Sequence, residues 1–151
     1  MAAEYVFVDE WDVAAPQERV FDALADARTY PDWWTPIYKE VRGDGPPEVG
    51  RTTTQRFSAK LPYTLETRST IVAMNRPNTF EVDVVGDLRG HGAWTLTPAG
   101  GNNVHIRFDW RVHADRALLR YLTPVLRPVF RWNHNEAIKS AMKNLEPYAR
   151  R

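Results

Sequence analysis

The side chains that could move a proton near neutral pH are few in this chain. There are four histidines, His91, His105, His113 and His134, and no cysteine. Imidazole is the side chain whose unperturbed charge change falls between about pH 5 and 8. His134 stands out because it follows Asn133 inside "RPVFRWNHNEAIKSAMKNL", residues 127–145, where apolar residues recur three or four apart. Asp9 is a second oddity, a carboxylate sharing strand parity with Tyr5, Phe7, Trp11 and Val13 in "YVFVDEWDV". If it reaches a cavity, His134 would serve as a general acid or base with Asn133 holding the substrate, and Asp9 would be a cavity acid or the orienter of His134. The plainer alternatives stay open. Asn133 and His134 are then core polar groups with local partners, or they face solvent, and Asp9 is held by a salt bridge at a strand edge, with Arg56 or Arg68.

Other chemistries are excluded or unsupported. Without cysteine there is no disulfide, thiolate metal site or cysteine nucleophile. The four histidines lack metal-ligand spacing, and no glycine-rich phosphate loop or G-x-S-x-G elbow is present. No metal and no cofactor are therefore expected.

The elements that must position these groups can be read from periodicity. Tyr5–Val13 alternates as a strand, and "APQERVFDALAD" then changes to a helical period with Pro16 at its start. "ARTYPDWWTP" is expected to be a second short helix or turn, broken by Pro31 and Pro36, before a strand over Ile37–Val41. Five alternating segments follow, "RTTTQRFSA", "YTLETRSTIVAM", "TFEVDVVGDL", "GHGAWTLTP" and "VHIRFDWRVHA". The connections are too short for crossover helices, so the strands form an antiparallel meander. In the last, Val104, Ile106, Phe108, Trp110 and Val112 share one face, and His105 and His113 lie on the other. Gly86, Gly90 and Gly92 suit a bend or bulge, with Trp94 inward and His91 on the opposite parity. "ADRALLRYL" is a short helix, and a long one runs from about Thr123 or Pro128 to about Tyr148. At 100° per residue its apolar stripe centres near 30° from Ala137, and Asn133 and His134 flank that stripe.

An antiparallel sheet with one wet face needs a cover, and only the C-terminal helix is long enough. This is an α+β architecture, a curved sheet wrapped around one long helix, in a single domain over residues 1–151. Eighteen aromatic residues, six of them tryptophan, are many for 151 residues and suit an apolar pocket. Its expected lining is Trp34, Phe57, Trp94, Phe108, Trp110, Phe130, Ala137 and Ala141, with Trp132 a further candidate and core packing the alternative. Gln55, Thr67 and Ser69 can add polar groups to its wall. A pocket below roughly 300 Å³ would point to a plain core.

Net charge is +1, from 20 basic and 19 acidic residues, which gives no reason to expect nucleic acid as a partner. No segment approaches 18 uninterrupted apolar residues, so no integral membrane span is expected. The N-terminus lacks the pattern of a signal peptide, and a cytoplasmic location is expected. The residues do not decide an oligomeric state.

The order of elements, with "VAAPQERVFDALADARTYPDWW", "LPY" (61–63), "GDLRGHGAW", "FDWRV" and "PVFRWNH", resembles the START-like (SRPBCC) superfamily with its helix-grip fold. Within that superfamily the chain is similar to the actinobacterial polyketide cyclase/dehydrase group. The resemblance implies an internal cavity for a small hydrophobic or aromatic molecule. If the protein is an enzyme, it implies cofactor-free cyclisation or dehydration of a polyketide-like chain. A non-catalytic carrier or sensor of a lipid, quinone or aromatic metabolite is the alternative.

Overall fold

A computed structural model describes residues 4–58, 64–114 and 123–151, with side chains described over 5–58, 64–113 and 131–151. The short helix expected after Ala114, the motif at 61–63 and the side chain of Phe130 lie outside the described residues. The chain opens with β1 (Glu4–Ala14), α1 (Gln17–Ala25), a 3-10 turn (Ala27–Thr29) and α2 (Tyr30–Trp33). Then come β2 (Tyr38–Gly43), β3 (Thr52–Phe57), β4 (Leu65–Asn75), β5 (Thr79–Gly86), β6 (Leu88–Pro98) and β7 (Asn103–Ala114). The last described element is α3 (Thr123–Ala149).

All seven strands form one antiparallel sheet in the order β1-β7-β6-β5-β4-β3-β2. The consecutive strands β2 to β7 are neighbours because connections of one to eight residues leave no room for a crossover helix. The strand that closes the order is β1, which returns to the far edge and pairs with β7 over its whole length, Phe7 opposite Trp110 and Asp9 opposite Phe108. This is the helix-grip fold: a curled antiparallel sheet holding a long C-terminal helix.

Local departures from the expected elements have local causes. Pro31 opens α2 rather than breaking it, because a proline in the first turn has no N–H that the helix needs. No bulge interrupts β6. It pairs with β7 without a shift from Leu88 opposite Ala114 to Pro98 opposite Val104. The strands come unusually close there instead. A Cβ on Gly90 would sit 2.0 Å from the Arg111 carbonyl oxygen, so only glycine fits. Bulges occur in β2, between Tyr38 and Glu40, and in β4, between Ile71 and Ala73.

The space between sheet and α3 is divided along the helix. Towards its C-terminal end, Ile138, Ala141, Leu145 and Ala149 are buried against α1, whose Val20, Phe21 and Leu24 are fully covered, with Phe21 meeting Phe80 edge-on at 5.3 Å. Ile138, Leu24 and Phe80 also border the cavity described below, and beyond them that end is solid core. The covered residues of α3 centre near 60° from Ala137, rather than near 30°, which puts His134 at the middle of the stripe instead of its edge. Two bonds tie β1 to α3: the Asp9 carboxylate to His134, and the Glu146 carboxylate to the backbone N–H of Ala14. Their spacing agrees. Five residues of strand span about 17 Å and twelve residues of helix about 18 Å, so the two elements run alongside each other over this length.

Candidate functional site

The other end of the interface is hollow. A cavity of about 180 Å³, partly open to solvent, lies between the middle of α3, at Asn133 to Ile138, and the concave face of the sheet. The expected lining is largely there: Trp34, Phe57, Trp94, Phe108, Trp110 and Ala137 all reach it, with Asn133 and His134 beside them. Two expectations fail. Ala141 does not line the cavity; it lies one turn further along α3, where α1 has closed over the sheet, and it is wholly buried in the core. Trp132 is 49% exposed and points away from the stripe.

The volume is also below the roughly 300 Å³ at which drug-sized sites begin. The rings that line the space also fill it. Trp94 and Phe108 stack at 4.0 Å, Phe80 continues the stack at 6.0 Å from Trp94, and Trp110 lies 6.0 Å from Phe108. The space still exceeds the cavity of about 150 Å³ known to admit benzene. Its opening and its polar groups set it apart from a plain core.

His134 is held from two sides. Its ring stacks on Phe7 at 3.9 Å and 17°, and its Nε2 lies 2.6 Å from Asp9 Oδ2. Both partners sit on the inward parity of β1, which is why a carboxylate two residues from Phe7 meets the same imidazole. The two side chains are only 12% and 15% exposed. The salt bridges to Arg56 or Arg68 do not form. Those arginines lie on the outer face of β3 and β4, with three or four strands between them and β1. Asp9 itself is not among the cavity-lining residues and stands behind the imidazole. The carboxylate accepts from Nε2–H, which leaves the Nδ1 lone pair with no partner among the described residues. Asn133 is 9% exposed and lines the same cavity.

The remaining histidines face outward, as strand parity predicts. His91 is bracketed by Asp83 and Glu81, and His105 by Asp12 and Glu10. Hydrogen bonds to these carboxylates favour the imidazolium in both cases and raise its pKa above the ordinary value. No group of three or more metal-ligating side chains with suitable geometry occurs among the described residues.

Several lining residues escaped the sequence reading. Tyr5, Tyr30 and Tyr38 reach the cavity from β1, α2 and β2, and Arg51 and Thr53 from the start of β3. Burial pushes the Tyr38 phenol well above its usual range, so it stays protonated. Thr53 was legible in principle: it shares parity with Gln55 and Phe57. Tyr38 was not, since the bulge at the start of β2 resets its parity. Trp34 closes one side by donating from Nε1 to the Ala137 carbonyl at 2.8 Å, and Ser140 Oγ donates to the Thr35 carbonyl at 2.6 Å.

Comparison with known proteins agrees with this geometry. The family model "Polyketide cyclase / dehydrase and lipid transport" matches residues 6–150, and the chain belongs to that family. No curated protein matches the sequence. Among solved structures, the Zhui aromatase/cyclase from Streptomyces sp. R1128 is similar with a TM-score of 0.74 at 14% identity, over 98% of this chain and 97% of that one. A START superfamily protein from Mycobacterium smegmatis gives 0.65 at 14% identity, over 91% and 97%. Norcoclaurine synthase from Thalictrum flavum, a point mutant in complex with a transition-state analogue, gives 0.65 at 13% identity, over 99% and 96%. Identities this low speak for the shared fold. No helix among the described residues is long and apolar enough to cross a membrane.

Proposed function

We propose that this protein binds a small, largely apolar molecule in the cavity and uses His134 to cyclise or dehydrate a polyketide-like substrate without a cofactor. The observation that carries this reading is the imidazole itself, fixed by Asp9 through Nε2 and by Phe7 through its face, with Nδ1 unengaged beside an aromatic cavity. The aromatic wall would hold the substrate bent, so that two reacting carbons meet. Nδ1 would take a proton from the carbon next to a carbonyl, and Asn133 would donate to the oxygen that gains charge. The enolate carbon then attacks a second carbonyl carbon, and the imidazolium returns its proton to the resulting alkoxide. Dehydration repeats the abstraction and expels that oxygen as water, so His134 ends as it began. Asp9 keeps the tautomer and stabilises the imidazolium while it exists.

The test is turnover of a short aromatic poly-β-ketone by wild type and His134→Gln, with ligand binding followed by calorimetry. We expect turnover to fall by about 10² or more while binding persists, the range typical of a general base. Unchanged turnover in the variant would overturn the assignment. The family description also includes lipid transport, which keeps a carrier role as the second reading. Binding without turnover in either protein would favour it.

A further inference from the structure

The cavity wall is chemically lopsided. On β5, β6 and β7 the lining residues are apolar: Phe80, Val82, Trp94, Phe108 and Trp110 among them. On β3 and the residue just before it they are mostly polar. Arg51, Thr53 and Gln55 point inward in succession, and Ser69 and Thr67 stand opposite on β4. Burying such groups costs free energy unless each is bonded, and most are. The Gln55 amide is 3% exposed; its Oε1 accepts from Thr67 Oγ1 at 3.0 Å and Ser69 Oγ at 3.1 Å, and its Nε2 donates to Thr53 Oγ1.

The proton count leaves a remainder. Thr53 Oγ1 accepts from Gln55, so the Thr53 hydroxyl hydrogen is not used there, and it finds no other acceptor among the described residues. The Thr53 methyl packs on the bare Cα of Gly43, where a Cβ would lie 2.7 Å away, and this fixes the rotamer. Arg51 is 24% exposed, and its Nη2 donates to Glu48 Oε1 at 2.6 Å, on a glutamate that is itself 63% exposed. Its Nη1 and Nε have no acceptor among the described residues. The guanidinium is seated on Gly45, whose Cβ would lie 2.3 Å from Nη1. One end of the cavity therefore presents the Arg51 cation, engaged by Glu48 through Nη2 alone, and the Thr53 hydroxyl, while the Asp26 carboxylate that also lines the cavity is held by Arg28.

We infer that Arg51 and Thr53 form a head-group subsite for a carboxylate, so that the natural ligand is a small aromatic acid or an acid formed from one. This rests on the reading that the cavity binds an apolar molecule, and it adds the polarity and direction of that molecule. The carboxylate meets Arg51 and Thr53, where charge-assisted bonds are shorter and stronger than neutral ones. The ring lies against Trp94, Phe108 and Trp110, which the volume limits to about one or two rings.

The experiment is calorimetric titration of the intact protein with 2-naphthoate and, separately, methyl 2-naphthoate, at neutral pH. Wild type should bind the acid about tenfold or more tightly than the ester. Arg51→Met should remove that preference while ester binding remains, and Thr53→Val should reduce it several-fold. Gly45→Ala keeps the charge but displaces a flexible guanidinium, so it should weaken the acid alone without endangering the fold. Equal affinity of wild type for acid and ester, or a preference that survives Arg51→Met, would overturn the inference and leave the cavity reading intact. Failure of both probes to bind wild type would overturn both.

Discussion

Removing the Asp9 carboxylate is the sharpest test of how β1 and α3 are joined. The bond to His134 Nε2 is 2.6 Å long, both side chains are only 12–15% exposed, and 125 residues separate them in sequence. A bond to a charged group contributes about 1.5–3 kcal/mol, and breaking a fully buried ion pair costs about 3–5 kcal/mol. The residual exposure places Asp9→Ala near the lower range, at about 2–3 kcal/mol. Asp9→Asn keeps an acceptor on the same rotamer and loses only the charge, so about 1 kcal/mol is expected. Urea unfolding followed by tryptophan fluorescence measures both; with a slope of about 1–3 kcal/mol per molar, the midpoint should fall by about 0.7–3 M for the alanine variant. His134→Ala and the double variant complete a cycle, whose coupling should be about 1.5–3 kcal/mol. A coupling below about 0.5 kcal/mol would refute the argument, because two groups that share one short buried bond cannot act independently.

Gly90→Ala should destabilise by more than about 2 kcal/mol, because the added carbon meets the Arg111 carbonyl and the Val112 Cα; Gly92→Ala meets only side-chain atoms at 3.1–3.4 Å and should cost clearly less, a ranking readable from urea midpoints. Trp34→Phe loses the bond to the Ala137 carbonyl and should lower stability by about 1 kcal/mol, or roughly 2–4 °C in Tm by calorimetry. His91 and His105 have folded pKa values raised by their carboxylates. Their contribution is therefore fully present below the unfolded value of about 6.5 and lost as pH rises through the raised folded value. The fall in urea midpoint across that window should shrink in the His91→Gln/His105→Gln double variant, and an unchanged slope would contradict the pairing.

Much of the architecture was legible because strand and helix periods report which side of an element is covered. Alternation placed Asp9 among Phe7 and Trp11, put Trp94 and Phe108 inward and turned His91 and His105 out. Helical phase brought Asn133 and His134 to the sheet. A period describes a residue's direction about its own axis, and says nothing about which distant element it meets. The partner of Asp9 was thus decided by sheet order: β1 returns beside β7, away from the arginines of β3 and β4, and α3 brings His134 to it. The same holds along α3. Ala137 and Ala141 share one face and one residue type, yet the first lines a cavity and the second a solid core, because α1 covers only the C-terminal half. The polar wall at Arg51 and Thr53 required both the register of β3 on β4 and the exact seats offered by Gly43 and Gly45, which are contacts between segments and leave no periodic trace in the chain.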